Sequence, residues 1–166
     1  MKKEKLKAGI ILPCYPASRE ICSVGGMVNN NSGGEKTLYY GKTEQYVNEL
    51  HVVLADGNEY AIKPLAKYEL MKAMEEKTFL GNAYKAMYEL IEKNYDALQA
   101  ARPHVSKNSA GYALWNIWDR KTFDLTQLFI GSQGTLGITT NITFRLVRPK
   151  KYSSLLVLFL PSLTDV

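Results

Sequence analysis

Two glycine-rich segments carry the residue types and spacing in this chain that best suit ligand chemistry. They are SVGGMVNNNSGGEKTLYYGKT at residues 23–43 and GSQGTLG at residues 131–137. A glycine has no Cβ, so its backbone can approach a ligand closely and adopt positive φ, and successive N–H groups can then converge on an anion. The first segment is therefore either a loose surface loop or a site that holds a ligand through its main chain.

Known phosphate-binding patterns match neither segment. Both lack the lysine of a P-loop, and neither follows the strand, G-x-G-x-x-G and helix order of a Rossmann dinucleotide site. Taken alone, each segment is better explained by ordinary glycine turns. Only their combination with the rest of the chain favours a ligand site.

Other reactive side chains show no catalytic or metal-binding pattern. His51 lies within a predicted strand and His104 follows a helix-ending proline, and neither has an acid–base partner nearby in the sequence. Cys14 and Cys22 are the two cysteines, and they lack metal-ligand spacing. We interpret both as reduced thiols of a cytoplasmic protein, with a single disulfide as the alternative.

The composition is that of an ordinary globular domain. Of the 166 residues, 46% are hydrophobic and 22% are charged, and the formal net charge is +5. The longest apolar run, residues 155–160, is far shorter than the roughly 20 residues that cross a bilayer. The positive balance suits an anionic partner, but Lys and Arg are spread along the chain without a nucleic-acid-binding motif. We expect no transmembrane segment.

Hydrophobic patterning predicts an α+β fold. Two β-rich runs flank Asp56-Gly57 and indicate a hairpin. Residues 65–102 are rich in helix formers, and we expect Gly81-Asn82 to separate two helices and Pro103 to end the second. One apolar helical stripe comprises Tyr84, Met87, Tyr88, Ile91, Tyr95 and Leu98.

The last part of the chain predicts two strands. In ITTNITFRLV, polar residues alternate with apolar ones, which predicts a half-buried strand with one wet face. The apolar residues expected to face inward are Ile138, Ile142, Phe144 and Leu146. The run at residues 155–160 predicts a buried strand followed by a turn.

Sequence blocks in a fixed order extend over most of the chain. They are LPCYPAS (12–18), SVGGMVNNNSGGEKTLYYGKT (23–43), HVVLADG (51–57), KNSAGYAL (107–114) and DLTQLFIGSQGTLGI (124–138). In this order the blocks resemble the FAD-linked oxidases of the vanillyl-alcohol oxidase type. They are most similar to the branch with D-lactate dehydrogenase, glycolate oxidase and 2-hydroxyglutarate dehydrogenase.

The resemblance implies an FAD-binding type 2 (PCMH-like) domain, with a mixed or antiparallel sheet flanked by helices. In such domains main-chain amides of glycine loops hold the ribitol and diphosphate of FAD, and preorganised N–H dipoles suit an anion. We expect noncovalent FAD, because the family's attachment positions have no match here. The implied flavin-binding residues are Pro16, Ala17 and Ser18 near the ring and ribityl side, Ser23, Gly25, Gly26, Asn31 and Gly33 along the ribitol and diphosphate, and Gly131, Gln133, Gly134, Gly137 and Ile138 along the adenosine half. Asn29 and Asn30 are expected to form a turn.

The chain also departs from the family pattern. Gln133 stands where the family has Glu, Met27 where it has Asn, and Tyr15 where an acidic residue is common. We expect residues 12–150 to form a partial FAD-binding domain and residues 151–166 to begin the substrate domain. An amino-terminal subdomain with another diphosphate loop would then be missing, and we expect weak or no FAD retention by this chain.

The implied function is the FAD-binding portion of an oxidoreductase that oxidises a 2-hydroxy acid by hydride transfer to FAD. The substrate would be of the D-lactate, glycolate or D-2-hydroxyglutarate type. No catalytic residue is matched, so we expect the chain alone to be inactive and a second chain or further domain to complete the site. The alternatives are a noncatalytic module that binds a nucleotide or nucleic acid, and a folded remnant that binds nothing.

Overall fold

The computed structural model of the chain describes residues 9–105, 107–152, 154, 156, 157, 159 and 162. Leu12–Leu146 forms one compact unit, and the two chain ends form another. Within the second unit, Ile11 and Val147 form an antiparallel bridge with N–O distances of 2.8 and 3.0 Å. The predicted division at residue 150 stays a prediction, and most of the strand predicted at residues 155–160 lies outside the described residues.

The larger unit contains both helices and antiparallel strands, which confirms the α+β class. The helices are α1 (Val24–Asn29), α2 (Thr37–Tyr40), α3 (Lys67–Glu75), α4 (Phe79–Lys93), α5 (Tyr95–Ala100) and α6 (Thr126–Phe129). The strands are β1 (Val47–Val53), β2 (Glu59–Ile62), β3 (Leu65–Ala66), β4 (Thr122–Phe123) and β5 (Ile138–Phe144). No helix in the described part of the chain is long and apolar enough to span a membrane.

The main sheet has the strand order β2-β1-β5, with every pair antiparallel. The predicted hairpin between β1 and β2 is confirmed. Its turn places Gly57 at φ 81°, and the Leu54 amide donates to the Asn58 carbonyl oxygen at 3.0 Å. The Asp56 carboxylate accepts from the Asn58 amide at 3.2 Å, which stabilises the turn locally. A second, two-stranded sheet pairs β3 with β4.

A β-bulge in β5 overturns part of the predicted strand pattern. His51 pairs with Asn141 but Val52 pairs with Thr139, so Thr140 is an extra residue in the ladder. An extra residue reverses the in-and-out alternation on one side of the bulge. Ile138 is therefore 71% exposed and Thr139 is half-buried. The prediction that Ile138 faces inward is wrong.

The hydrophobic core lies between the main sheet and the helices that follow it. Trp118 and Phe123 are almost fully buried, and Tyr88 packs edge-to-face on Trp118 with ring centroids 5.9 Å apart. Burial raises the pKa of Tyr84, whose ring lies 6.0 Å from that of Phe123. The predicted helical stripe is confirmed, because all its members belong to this core or pack against it. Cys14 and Cys22 do not form a disulfide with each other.

The break between the first two long helices does not lie at Gly81-Asn82, as predicted, but before Thr78. The Thr78 side chain caps α4 by accepting from the Gly81 amide at 3.0 Å. A Cβ on Gly81 would overlap the Glu76 carbonyl oxygen. The glycine is thus needed for close approach of α3 and α4, not for a break. A further interruption at Asn94 separates α4 from α5.

We expect Gly81→Ala to destabilise the protein by about 1–3 kcal/mol, because the new methyl group overlaps backbone at the α3–α4 contact. Helix propensity alone would stabilise the variant by about 1 kcal/mol, so the sign of the effect is diagnostic. Urea unfolding measures the free energy. The control Asn82→Ala changes an exposed neighbour on the same helix and should leave stability nearly unchanged.

Candidate functional site

The two glycine-rich segments lie side by side in the structure and are joined through their backbones. The Gly131 amide donates to the Val28 carbonyl oxygen at 3.0 Å, and the Gln133 amide donates to the Asn29 carbonyl oxygen at 2.9 Å. The Gln133 side-chain amide also donates to Asn30 Oδ1 at 3.2 Å. Segments that are far apart in the chain therefore form one continuous surface.

Left-handed backbone conformations concentrate where the two segments meet. Gly131 has φ 82°, Gly134 has φ 77° and Gln133 has φ 55°. A residue with a side chain rarely adopts positive φ, so the bonds of Gln133 to the first segment hold it there. In the first segment positive φ occurs at Asn31, with φ 45°, and at Gly41, with φ 74°, and not at Asn29 or Asn30.

The segment containing Pro16, Ala17 and Ser18 approaches the second glycine pair of the first segment. A Cβ on Gly34 would overlap the Tyr15 carbonyl oxygen and would lie 3.6 Å from the Pro16 Cα. Pro16 begins a turn in which its carbonyl oxygen accepts from the Arg19 amide at 3.1 Å. Ala17 and Ser18 are exposed on this turn. The structure thus brings this predicted segment to the glycine loop.

The two glycines of the first pair have different surroundings: Gly26 lies against its capping serine, and Gly25 has open space beside it. Ser23 caps α1, and its hydroxyl oxygen accepts from the Gly26 amide at 3.0 Å. A Cβ on Gly26 would lie 2.9 Å from that oxygen, whereas a Cβ on Gly25 would meet nothing within 4 Å. The backbone at Gly25 therefore faces open space that a ligand can occupy.

Gly137 and Ile138 do not join this hydrogen-bonded group. A Cβ on Gly137 would lie 2.6 Å from Val52 Cγ1 and 2.7 Å from the Val53 carbonyl oxygen. Glycine is required there so that β5 can begin against β1. Ile138 pairs with Val53 in the main sheet. Contact of either residue with a ligand stays a prediction.

Asn31 is used inside the protein. It is only 3% exposed, its Nδ2 donates to Glu44 Oε2 at 2.6 Å, and its Oδ1 accepts from the Glu44 amide at 3.1 Å. An Asn side chain has a second donor hydrogen and a second lone pair, so these contacts do not exhaust it. The expected contact of Asn31 with a flavin stays a prediction beside this structural role.

Sequence reasoning assigned no site residue between Gly33 and Gly131, yet a buried ion pair lies there. Lys42 Nζ lies 3.4 Å from Glu44 Oε2 and also donates to the Asn108 carbonyl oxygen. Lys42 is 8% exposed, and such burial of a lysine requires a partner. The signal in the sequence was the Lys-Thr-Glu run after YG, which the family blocks left without a role.

The loop at residues 108–112 packs against the second glycine segment. A Cβ on Gly111 would overlap the Gly131 carbonyl oxygen, so the two backbones are in direct contact. The Tyr112 hydroxyl and the Thr135 hydroxyl form a hydrogen bond across the same contact. Three loops therefore converge: residues 28–34, residues 108–112 and residues 131–135.

A cavity of about 150 Å³ lies beside the ion pair, lined in part by Lys42, Glu44, Arg102, Asn108 and Trp115. Pockets that hold a cofactor are usually about 300–1,000 Å³. The cavity is thus too small for a dinucleotide, and none of the predicted flavin residues lines it. Among the described residues there is also no cluster of side chains that could hold a metal ion.

Comparisons with known proteins point to one family. Residues 3–62 match the family profile described as FAD binding domain. A glycolate oxidase subunit of Bacillus subtilis is 32% identical over 152 residues, which is 91% of this chain and 22% of the relative. A D-2-hydroxyglutarate dehydrogenase of Pseudomonas putida is 28% identical over 134 residues, or 80% of this chain and 13% of the relative. A D-lactate dehydrogenase of Anaerostipes hadrus is 31% identical over 152 residues, or 91% of this chain and 21% of the relative.

These matches show an FAD-binding-domain segment at residues 3–62 and similarity to the relatives over most of the chain. The names of these relatives specify the 2-hydroxy acids 2-hydroxyglutarate, glycolate and lactate. The chain spans only 13% to 22% of the length of the relatives named above. The alternative of a module for nucleic acid is not favoured by these findings.

The residues present fit FAD. The converging loops offer backbone at Gly25 with open space beside it, and a Cβ on Gly134 would meet only Asn29 Nδ2, at 3.9 Å. Neutral main-chain and side-chain amides are suitable donors for a diphosphate and for sugar hydroxyls. The half-buried Glu44 carboxylate is paired with Lys42, which offsets its negative charge toward an anion.

We expect Gly111→Ala to disturb the convergence of the loops, because the methyl group overlaps the Gly131 carbonyl oxygen. The variant should lose about 1–3 kcal/mol in free energy of unfolding. Amide hydrogen exchange should also become faster at residues 108–112 and 131–135. The control Ser109→Ala changes an exposed neighbour in the same loop. Unchanged exchange in the glycine variant would contradict the contact.

Proposed function

We propose that this chain contributes the FAD-binding portion of a flavoprotein oxidoreductase that oxidises a 2-hydroxy acid. The observation that carries the proposal is the backbone pairing of Gly131 and Gln133 with Val28 and Asn29. This pairing creates an amide-lined surface from the same segments that the family blocks assign to flavin binding. The family match at residues 3–62 supports the same conclusion.

Different parts of this surface would hold different parts of the cofactor. The turn at Pro16–Ser18 and the Gly33-Gly34 backbone would lie along the ring and ribityl side. The open backbone at Gly25 and the amides around Gly134 would lie along the diphosphate and the adenosine half. Preorganised amides lose little conformational entropy on binding, which suits a ligand held without a covalent bond.

Bound FAD would supply the acceptor for the hydride that is removed from the substrate. This chain would bind the cofactor, fix its orientation and exclude water from its diphosphate. The relatives' names suggest D-2-hydroxyglutarate, glycolate or D-lactate as the substrate type. We infer noncovalent binding, because no residue here matches a position of covalent attachment in the family.

Gly25→Ala tests the proposal, because its methyl group projects into the open space beside the glycine backbone. We expect FAD affinity to fall by roughly tenfold or more, equal to about 1.4 kcal/mol. Stability should not fall, because Gly25 lies in α1 with an ordinary φ and Ala is the better helix former. An equilibrium titration that follows flavin fluorescence measures the affinity, and urea unfolding measures stability.

The matched control is Asn82→Ala, which also alters an exposed helical position but lies on α4. Its affinity for FAD should equal that of the unaltered chain. Equal affinity of the Gly25→Ala protein would show that the flavin does not pass over this backbone. A chain that leaves the flavin signal unchanged up to millimolar FAD would contradict the proposed function itself.

A further inference from the structure

We propose that Lys42 and Glu44 are positioning residues for the flavin-binding loops. The inference rests on the proposed function and deepens it. Neither residue was assigned a role by the family blocks, although Lys42 lies near the end of the block at residues 23–43. The pair would act through the loops that it supports and not by touching the cofactor.

The Lys42 side chain contacts the first glycine segment. A Cβ on Gly33 would lie 3.3 Å from Lys42 Cγ, so the aliphatic stem of the lysine packs directly beneath this glycine. The backbone between the two residues is also anchored here, because the Thr43 hydroxyl and the Thr43 amide both donate to the Ser32 carbonyl oxygen, at 2.8 and 3.0 Å.

Glu44 supports the left-handed turn at Asn31. Its carboxylate accepts from Asn31 Nδ2 at 2.6 Å, while its amide donates to Asn31 Oδ1 at 3.1 Å. This two-point contact fixes the side chain of the residue that has φ 45°. A Cβ on Gly131 would lie 3.5 Å from Asn31 Cβ, so the second glycine segment rests on this turn.

The ion pair also contacts the loop at residues 108–112. Lys42 Nζ donates to the Asn108 carbonyl oxygen, at the start of the 108–112 loop. That loop packs on the Gly131 carbonyl through Gly111. The ion pair thus contacts two loops, residues 28–34 and 108–112, which both contact Gly131. Removing the pair would weaken both supports of the second glycine segment.

Loss of one partner alone leaves a buried charge unpaired, which destabilises the fold and obscures the role. The double variant Lys42→Met/Glu44→Gln avoids this difficulty, because it removes both charges and nearly keeps both side-chain lengths. The glutamine introduced at position 44 can still accept from Asn31, whereas the methionine introduced at position 42 cannot donate to the Asn108 carbonyl oxygen. The variant therefore releases the 108–112 loop. It also weakens the support of the Asn31 turn, because a neutral amide accepts a weaker hydrogen bond than a carboxylate.

The experiment compares the double variant with the unaltered chain by FAD titration and by amide hydrogen exchange. We expect FAD affinity to fall by roughly tenfold or more. Exchange should become faster at residues 31–34 and 108–112, and should stay unchanged in the central strand at residues 47–53. A purely structural role would raise exchange throughout the unit instead.

Two controls separate positioning from general stability. Glu49→Gln removes a carboxylate from β1, where it contacts His51 at 3.2 Å, and should leave FAD affinity unchanged. Gly81→Ala lowers stability at a helix contact away from the loops, and its folded form should also bind FAD normally. An affinity loss of the same size in Gly81→Ala would overturn the positioning role.

The outcomes distinguish this inference from the proposed function. If the unaltered chain binds FAD and the double variant binds it equally well, the positioning role is wrong and the proposed function stands. If the unaltered chain binds no FAD, the proposed function fails, and hydrogen exchange alone decides whether the pair orders the loops. Unchanged exchange at residues 31–34 and 108–112 would overturn the inference in either case.

Discussion

Backbone hydrogen bonds between two distant glycine-rich segments are the constraint on which the rest of this site depends. The Val28 and Asn29 carbonyl groups receive the amides of Gly131 and Gln133. Each bond contributes modestly to stability, but the bonds fix where every neighbouring amide points. They also hold Gln133 in a left-handed conformation that its side chain would otherwise disfavour, and they set the surface on which the 108–112 loop packs.

Main-chain groups and neutral amides form the hydrogen bonds that join the two glycine segments, and groups of this kind can bind an anion without carrying a countercharge. Near these segments the buried Lys42 and the half-buried Glu44 form an ion pair whose opposite charges neutralise each other. A buried pair costs desolvation free energy, and its advantage here is geometric, because one ammonium and one carboxylate contact two different loops.

Local chemistry explains which parts of the fold the sequence predicted correctly. The Asp56-Gly57 turn and the apolar stripe along α4 and α5 depend on neighbours within a few residues, and both predictions are confirmed. The break expected at Gly81 was wrong, because that glycine serves a contact between two helices. The inward position expected for Ile138 was wrong, because a bulge at Thr140 reversed the alternation.

The sequence by itself determined the family resemblance and the segments that face the candidate site, because ordered blocks of glycine, proline and amide residues are specific in combination. It did not determine the roles of individual glycines. Gly25 is open, Gly26 is close to its capping serine, and Gly137 is needed for strand packing. The Lys42–Glu44 pair was also decided only by the tertiary structure. Its partners Asn31 and Asn108 are brought to it by chain folding, and no local pattern encodes such long-range contacts.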